Sequence, residues 1–174
     1  VRNNVWRVQQ NNPFQGGFVE VEEIAEEICS LAREVNRIVR GRCELQPREE
    51  ARRKLFTTES AKPGELLELI QVLERWGERW EVADELADVT YYICQLGIDE
   101  WVEALSRLAE LLGFTADEAF QFARIKYGER VRTGKKDKKA EGACIRMYVE
   151  TIQLRQTDNQ AASEELRRIL REAK

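Results

Sequence analysis

Histidine is absent from the 174-residue chain, and this one absence removes a large share of enzyme chemistry. Ser-His-Asp and Cys-His nucleophile pairs, imidazole general bases and His-containing zinc sites are all excluded. Any reaction must be carried by carboxylates, Lys, Arg, Tyr, Cys or a bound cation. Cysteine is sparse: Cys29, Cys43, Cys94 and Cys144 stand far apart with no CxxC pair, so no disulfide framework or thiolate metal site is indicated. Cys94 reads as a small core residue, not a nucleophile, since no neighbour in sequence lowers its pKa. No apolar run approaches the roughly 18 residues that span a bilayer, and no signal-peptide pattern is visible. Reduced thiols, a cytoplasmic location and no membrane partner are therefore expected. Lys and Arg number 28 against 32 Asp and Glu, a net charge of -4, which leaves no excess of positive charge for coating nucleic acid.

Proline is limited to three residues and glycine to ten, while Glu provides 26 of the 32 acids. Few breakers and much Glu favour helix. Residues 1–17 predict an irregular lead-in, with Asn3-Asn4, Asn11-Asn12-Pro13 and Gly16-Gly17, anchored by Phe14 and Phe18. Apolar residues at spacings of three and four, from Val21 through Ile24, Ile28, Leu31, Val35 and Ile38, predict a long amphipathic helix from Phe18 to about Arg42. Pro47 opens a short charged helix. The next has Ser60 as cap, Pro63 in its first turn and Leu66, Leu69, Ile70 and Leu73 as its stripe. Further helices are predicted over Trp80 to Leu96, Trp101 to Leu112, from the capping box Thr115-Ala-Asp-Glu118 through Tyr127, over Ala143–Leu154 and over Ala161–Ala173. The Lys-rich residues 130–142, with Lys135, Lys136, Lys138 and Lys139, predict a solvated loop, with phosphate steering as the alternative reading of the four lysines. Trp76, Trp80 and Trp101 read as core or interface anchors. No segment alternates with period two, so the chain is expected to form one all-α domain, an antiparallel helical bundle, over residues 1–174.

Two acidic pairs stand out. Glu65 and Glu68 share one helix face, as do Glu85 and Asp88, and sixteen residues separate the pairs. Apolar neighbours flank both. If the two helices pack antiparallel, four carboxylates face one groove, where their repulsion is relieved by a divalent cation. Oxygen-only ligands select hard cations, Mg²⁺ first and Mn²⁺ as substitute, and Mg²⁺ typically bridges carboxylates to phosphates. As a bare string the pattern fits a solvated acidic face equally well.

Gly64-Glu-Leu-Leu-Glu-Leu-Ile-Gln71 and Asp84-Glu-Leu-Ala-Asp-Val-Thr-Tyr-Tyr92 resemble the MazG-like, all-α nucleoside triphosphate pyrophosphohydrolases, a superfamily that includes dimeric dUTPases, dCTP pyrophosphatases and phosphoribosyl-ATP pyrophosphohydrolases. Ala116-Asp-Glu-Ala-Phe and Lys126-Tyr-Gly-Glu-Arg130-Val-Arg132 are similar to its closing helix. The resemblance covers roughly residues 56–134, leaving 140–174 as a C-terminal helical extension. It implies hydrolysis of (d)NTP to (d)NMP and pyrophosphate, with Glu65, Glu68, Glu85 and Asp88 holding Mg²⁺ and Glu65 orienting and deprotonating the attacking water. It implies phosphate contacts from Lys126 and Arg130, with Arg132 in reserve, and a base or sugar pocket lined by Tyr92, Gln71 and Trp76. It also implies a homo-oligomer, a dimer or tetramer, with a role in clearing unwanted nucleotides. Lys62 stands where many members carry a further acid, Pro63 where their helix continues, and Arg130 where they place Asn. The alternatives are a non-catalytic nucleotide binder on the same fold, or a helical scaffold whose acids are only surface.

Overall fold

The computed structural model describes residues 7–9, 18–59, 61–97 and 99–173. It is an all-α bundle: α1 (Val21–Arg40), α2 (Arg48–Phe56), α3 (Glu65–Glu74), α4 (Arg79–Leu96), α5 (Asp99–Leu111), α6 (Ala116–Thr133), α7 (Lys138–Thr151) and α8 (Asn159–Glu172). Two short strands, β1 (Arg7–Gln9) and β2 (Phe18–Glu20), pair antiparallel with Val8 opposite Val19. Arg7–Gln9 of the lead-in thus pairs with Phe18–Glu20, residues expected to open the first helix but strand here, so that α1 begins at Val21. Strands this short escape period-two patterning. Asn3, Asn4, Asn11, Asn12, Pro13, Phe14, Gly16, Gly17 and Ser60 lie outside the described residues; the N-cap of α3 is Gly64, four residues beyond the expected Ser60. Among the described residues no helix is long and apolar enough to cross a membrane.

Helix α4 is the axis of the bundle. It packs on α1, α2, α3, α6 and α7, and its residues from Val82 to Leu96 are buried on nearly every side. A helix wrapped in this way carries its polar residues into the interior with it. Asp84, Glu85 and Asp88 are therefore where the chain must compensate charge.

Helices α3 and α4 run antiparallel. Arg75 pairs with Glu81 at 2.9 Å beside their connection, and the two acidic pairs meet at the far end. Helices α4 and α6 run in the same direction, since α5 returns the chain between them. At one end Arg79 donates to the Gly113 carbonyl at 3.0 Å and lies over the Phe114 ring. At the other, the Tyr91 and Tyr127 rings stack at 3.6 Å. The Thr115 capping box starts α6 as expected: Glu118 N donates to Thr115 Oγ1 at 3.1 Å, and Thr115 N to Glu118 Oε1 at 2.8 Å. The residues read as a lysine-rich loop are mostly helical. Helix α6 continues to Thr133 and α7 begins at Lys138, capped by Asp137, whose Oδ1 accepts from Ala140 N at 3.1 Å. Ile145, Val149, Ala162 and Leu166 join the same core as α4, so the C-terminal helices are built into the bundle.

Glu65 is placed by a tight backbone contact. Gly64 is the N-cap of α3, and its N–H donates to the Thr57 carbonyl at 2.8 Å. Pro63 thus precedes the helix and interrupts nothing. A Cβ at position 64 would sit 2.7 Å from Thr57 N and 2.9 Å from Leu55 O, both backbone atoms that cannot swing aside. Gly64→Ala is expected to destabilise the fold by about 1–3 kcal/mol, seen as a lower urea midpoint with an unchanged slope.

Candidate metal centre

The first turn of α3 and the middle of α4 bring the two acidic pairs together. Glu65, Glu68, Glu85 and Asp88 each offer an oxygen, and all four oxygens lie within 4.8 Å of one another. Glu65 Oε2 and Glu85 Oε2 are buried without a hydrogen-bond partner. Orphaned buried carboxylate oxygens are costly, and a cluster of them is what a hard cation satisfies. The donor set is all oxygen, so the residues present fit a hard cation. The acids line a cavity of about 320 Å³ whose wall also includes Lys54, Asp84, Tyr92, Lys126, Tyr127, Arg130, Lys136 and Lys138.

Asp88 is held at both oxygens. Lys126 Nζ donates to Oδ2 at 2.9 Å, and the Tyr127 hydroxyl donates to Oδ1 at 2.6 Å. Lys126 also lies 3.2 Å from Asp84 Oδ1, close enough for an ion pair although that oxygen lacks hydrogen-bond geometry. Burial works against the Lys126 charge, but Asp88 and Asp84 outweigh it and hold the ammonium above lysine's ordinary range. Arg130 is fixed by a residue of α7: Nε and Nη2 donate to Glu141 Oε2 and Oε1 at 2.9 and 2.8 Å. Its guanidinium covers the Tyr127 ring at 4.6 Å.

The electrostatics follow from burial. Desolvation, then the charges of Asp88 and Glu68, push the Glu65 carboxyl up to about 10. Desolvation, again with Asp88 and Glu68, pushes Glu85 up to about 8. Asp84 is raised by burial despite Lys126. Because the folded state binds these protons more tightly than the unfolded chain, stability is full below the ordinary Glu value of 4.5 and falls as pH rises towards 8 and then 10. Lys126 titrates above this window and leaves the trend unchanged. The expected result is a melting temperature, measured in chelator, that declines from about pH 5 to about pH 9, and a decline that Mg²⁺ or Mn²⁺ suppresses. A flat profile in chelator contradicts this account of the cluster.

The sequence-predicted residues divide into two groups. Glu65, Glu68, Glu85, Asp88, Tyr92, Lys126 and Arg130 all line the one cavity. Gln71 and Trp76 do not. Gln71 faces solvent on α3, its six-residue offset from Glu65 turning it about 120° away at 100° per residue. Trp76 lies beyond the end of α3, with φ 56° and 81% exposed, which also corrects its reading as a core anchor. Trp80 is half-buried and donates to Glu78 at 2.9 Å, while the side chain of Trp101 falls outside the described residues. Cys94 is fully buried, and burial pushes its thiol well up, as expected of a core residue.

Four contributors escaped the sequence reading. Asp84 stands one turn before Asp88 on the same face, a visible signal. Tyr127 passed for an apolar position. Glu141 sits in Ala140-Glu141-Gly142-Ala143, where small residues mark close packing, and a Cβ at Gly142 would lie 3.3 Å from Trp80. Lys54 carries no local signal at all.

Comparison with known proteins finds no matching family model, no matching curated protein and no matching solved structure.

Proposed function

We propose that the chain is a nucleoside triphosphate pyrophosphohydrolase, dependent on Mg²⁺ with Mn²⁺ as substitute, that converts (d)NTP to (d)NMP and pyrophosphate. The observation that carries this reading is the carboxylate cluster with orphaned buried oxygens, set beneath a rim of Lys and Arg in one cavity. The resemblance of the Glu65–Glu68 and Glu85–Asp88 segments to MazG-like hydrolases supports the same reading. A cation held by Glu65, Glu68, Glu85 and Asp88 supplies the charge that polarises a phosphate chain and makes a nearby water more acidic.

The protein's own residues do the rest. Glu65, in the first turn of α3, orients the attacking water and takes its proton. The water oxygen bonds to the α-phosphorus, and the bond from that phosphorus to the α–β bridging oxygen breaks, releasing pyrophosphate. Lys126 and Tyr127 fix the Asp88 carboxylate, so the donor set is preorganised. Arg130, clamped by Glu141, is part of the cavity wall. Tyr92 offers an aromatic wall for base or sugar.

A panel of canonical and modified (d)NTPs with Mg²⁺, analysed for phosphate products, tests the proposal. The expected products are nucleoside monophosphate and pyrophosphate from at least one nucleotide. Nucleoside diphosphate and inorganic phosphate as products, or no cleavage at all, removes it. A second reading, a non-catalytic nucleotide binder, is favoured by one observation: Lys126 and Arg130 are both already engaged with acids. It predicts a Mg²⁺-dependent thermal shift with a non-hydrolysable (d)NTP and no turnover.

A further inference from the structure

Lysines from three separate elements converge on the mouth of the acidic cavity. Lys54 comes from the last turn of α2, Lys136 from the α6–α7 turn and Lys138 from the first turn of α7. Among the described residues none of them forms an ion pair, whereas nearby Arg40, Arg130 and Arg132 each hold a glutamate. They crowd one another: partial desolvation, then the charges of Arg130 and Lys138, push the Lys136 ammonium below lysine's ordinary range, against the pull of Glu141. Lys138 and Lys139 also open a helix, where the dipole favours acids. The acids of the cavity floor attract these lysines but pair with none of them, and helix energetics does not account for the positive charge gathered at the rim.

A bound polyanion accounts for it. Carboxylates form the floor of the cavity and lysines its rim, which is the order of charges required by a cation that bridges a protein to a phosphate chain. We infer that Lys54, Lys136 and Lys138 form a clamp for the outer phosphates of a polyphosphate ligand, held above Glu65, Glu68, Glu85 and Asp88. The inference rests on the acidic cavity as a cation site. It assigns the outer phosphates to the unpaired lysines, with Lys126 engaged by Asp84 and Asp88 and Arg130 by Glu141.

Inorganic tripolyphosphate with Mg²⁺ is the probe, since it carries the charge without base or sugar. Calorimetric titration is expected to show binding to the wild type. The Lys136→Gln/Lys138→Gln double variant and Lys54→Gln are each expected to bind about tenfold more weakly or worse. The Lys135→Gln/Lys139→Gln double variant removes the same charge from lysines that do not line the cavity and is expected to stay within about twofold of wild type. All of these lysines are exposed, so the substitutions spare the core. No binding to wild type, unchanged affinity in the clamp variants, or an equal loss in the control overturns the clamp. Lysine-dependent binding without nucleotide turnover leaves the clamp standing and removes the hydrolase. Turnover with unchanged KM in the clamp variants does the reverse.

Discussion

Replacing Glu85 with glutamine is expected to lower the proposed pyrophosphate release by about 10³-fold or more and, at the same time, to raise the melting temperature of the protein in chelator. The first effect follows from the loss of one of the carboxylates whose oxygens converge within 4.8 Å. Removing a ligand from such a site weakens charge stabilisation worth several kcal/mol, and about 1.4 kcal/mol is tenfold in rate. The second effect follows from the ion-free cluster. The Glu85 carboxyl is pushed up to about 8 by burial, Asp88 and Glu68, so a neutral side chain of the same shape relieves repulsion above that carboxyl's ordinary range. Opposite signs in activity and stability are the mark of acids retained for binding at a cost to the fold. A loss of both makes Glu85 a structural residue, and no change in either makes the acids a solvated face.

Glu141→Ala is expected to destabilise the protein by about 3–5 kcal/mol, measured by urea unfolding, because it leaves the buried Arg130 charge uncompensated. The Glu141 side chain is 1% exposed against 10% for Arg130, and both of its oxygens accept from the guanidinium. The Asp137 N–H also donates to Oε2 at 3.3 Å, tying the pair to the start of α7. The companion variant Arg130→Met/Glu141→Leu removes both charges and is expected to recover most of the loss, as buried pairs replaced together often do. A cost below about 1 kcal/mol for Glu141→Ala contradicts the burial and pairing of this ion pair.

Much of this organisation is legible in the chain itself. Apolar spacing along Ile24, Ile28 and Val35 sets α1, and Thr115 with Glu118 marks the start of α6, because periodicity and capping are local properties. The acidic pairs are equally local, each three residues apart on one helix. What escapes is decided by packing. Gln71 follows the acidic motif closely in sequence, yet helical rotation turns it to solvent. Lys136 and Lys138 resemble a solvated run until α7 folds back against α4 and α6 and brings them over the cavity. Arg130 reads as a free phosphate ligand only while its partner eleven residues on is unknown. Glu141 looks like any exposed glutamate until its helix is placed.

The carboxylates of Glu65, Glu68, Glu85 and Asp88 form the proposed site for a divalent cation. Titration of the protein with Mn²⁺ at neutral pH, following free Mn²⁺ by electron paramagnetic resonance, tests it without reference to any substrate. The expected result is stoichiometric loss of the free Mn²⁺ signal, reversal by excess Mg²⁺, and abolition of binding in the Glu65→Gln/Glu85→Gln double variant, which remains folded and melts higher in chelator. A free Mn²⁺ signal undiminished by the wild-type protein, or equal binding by the folded double variant, contradicts it.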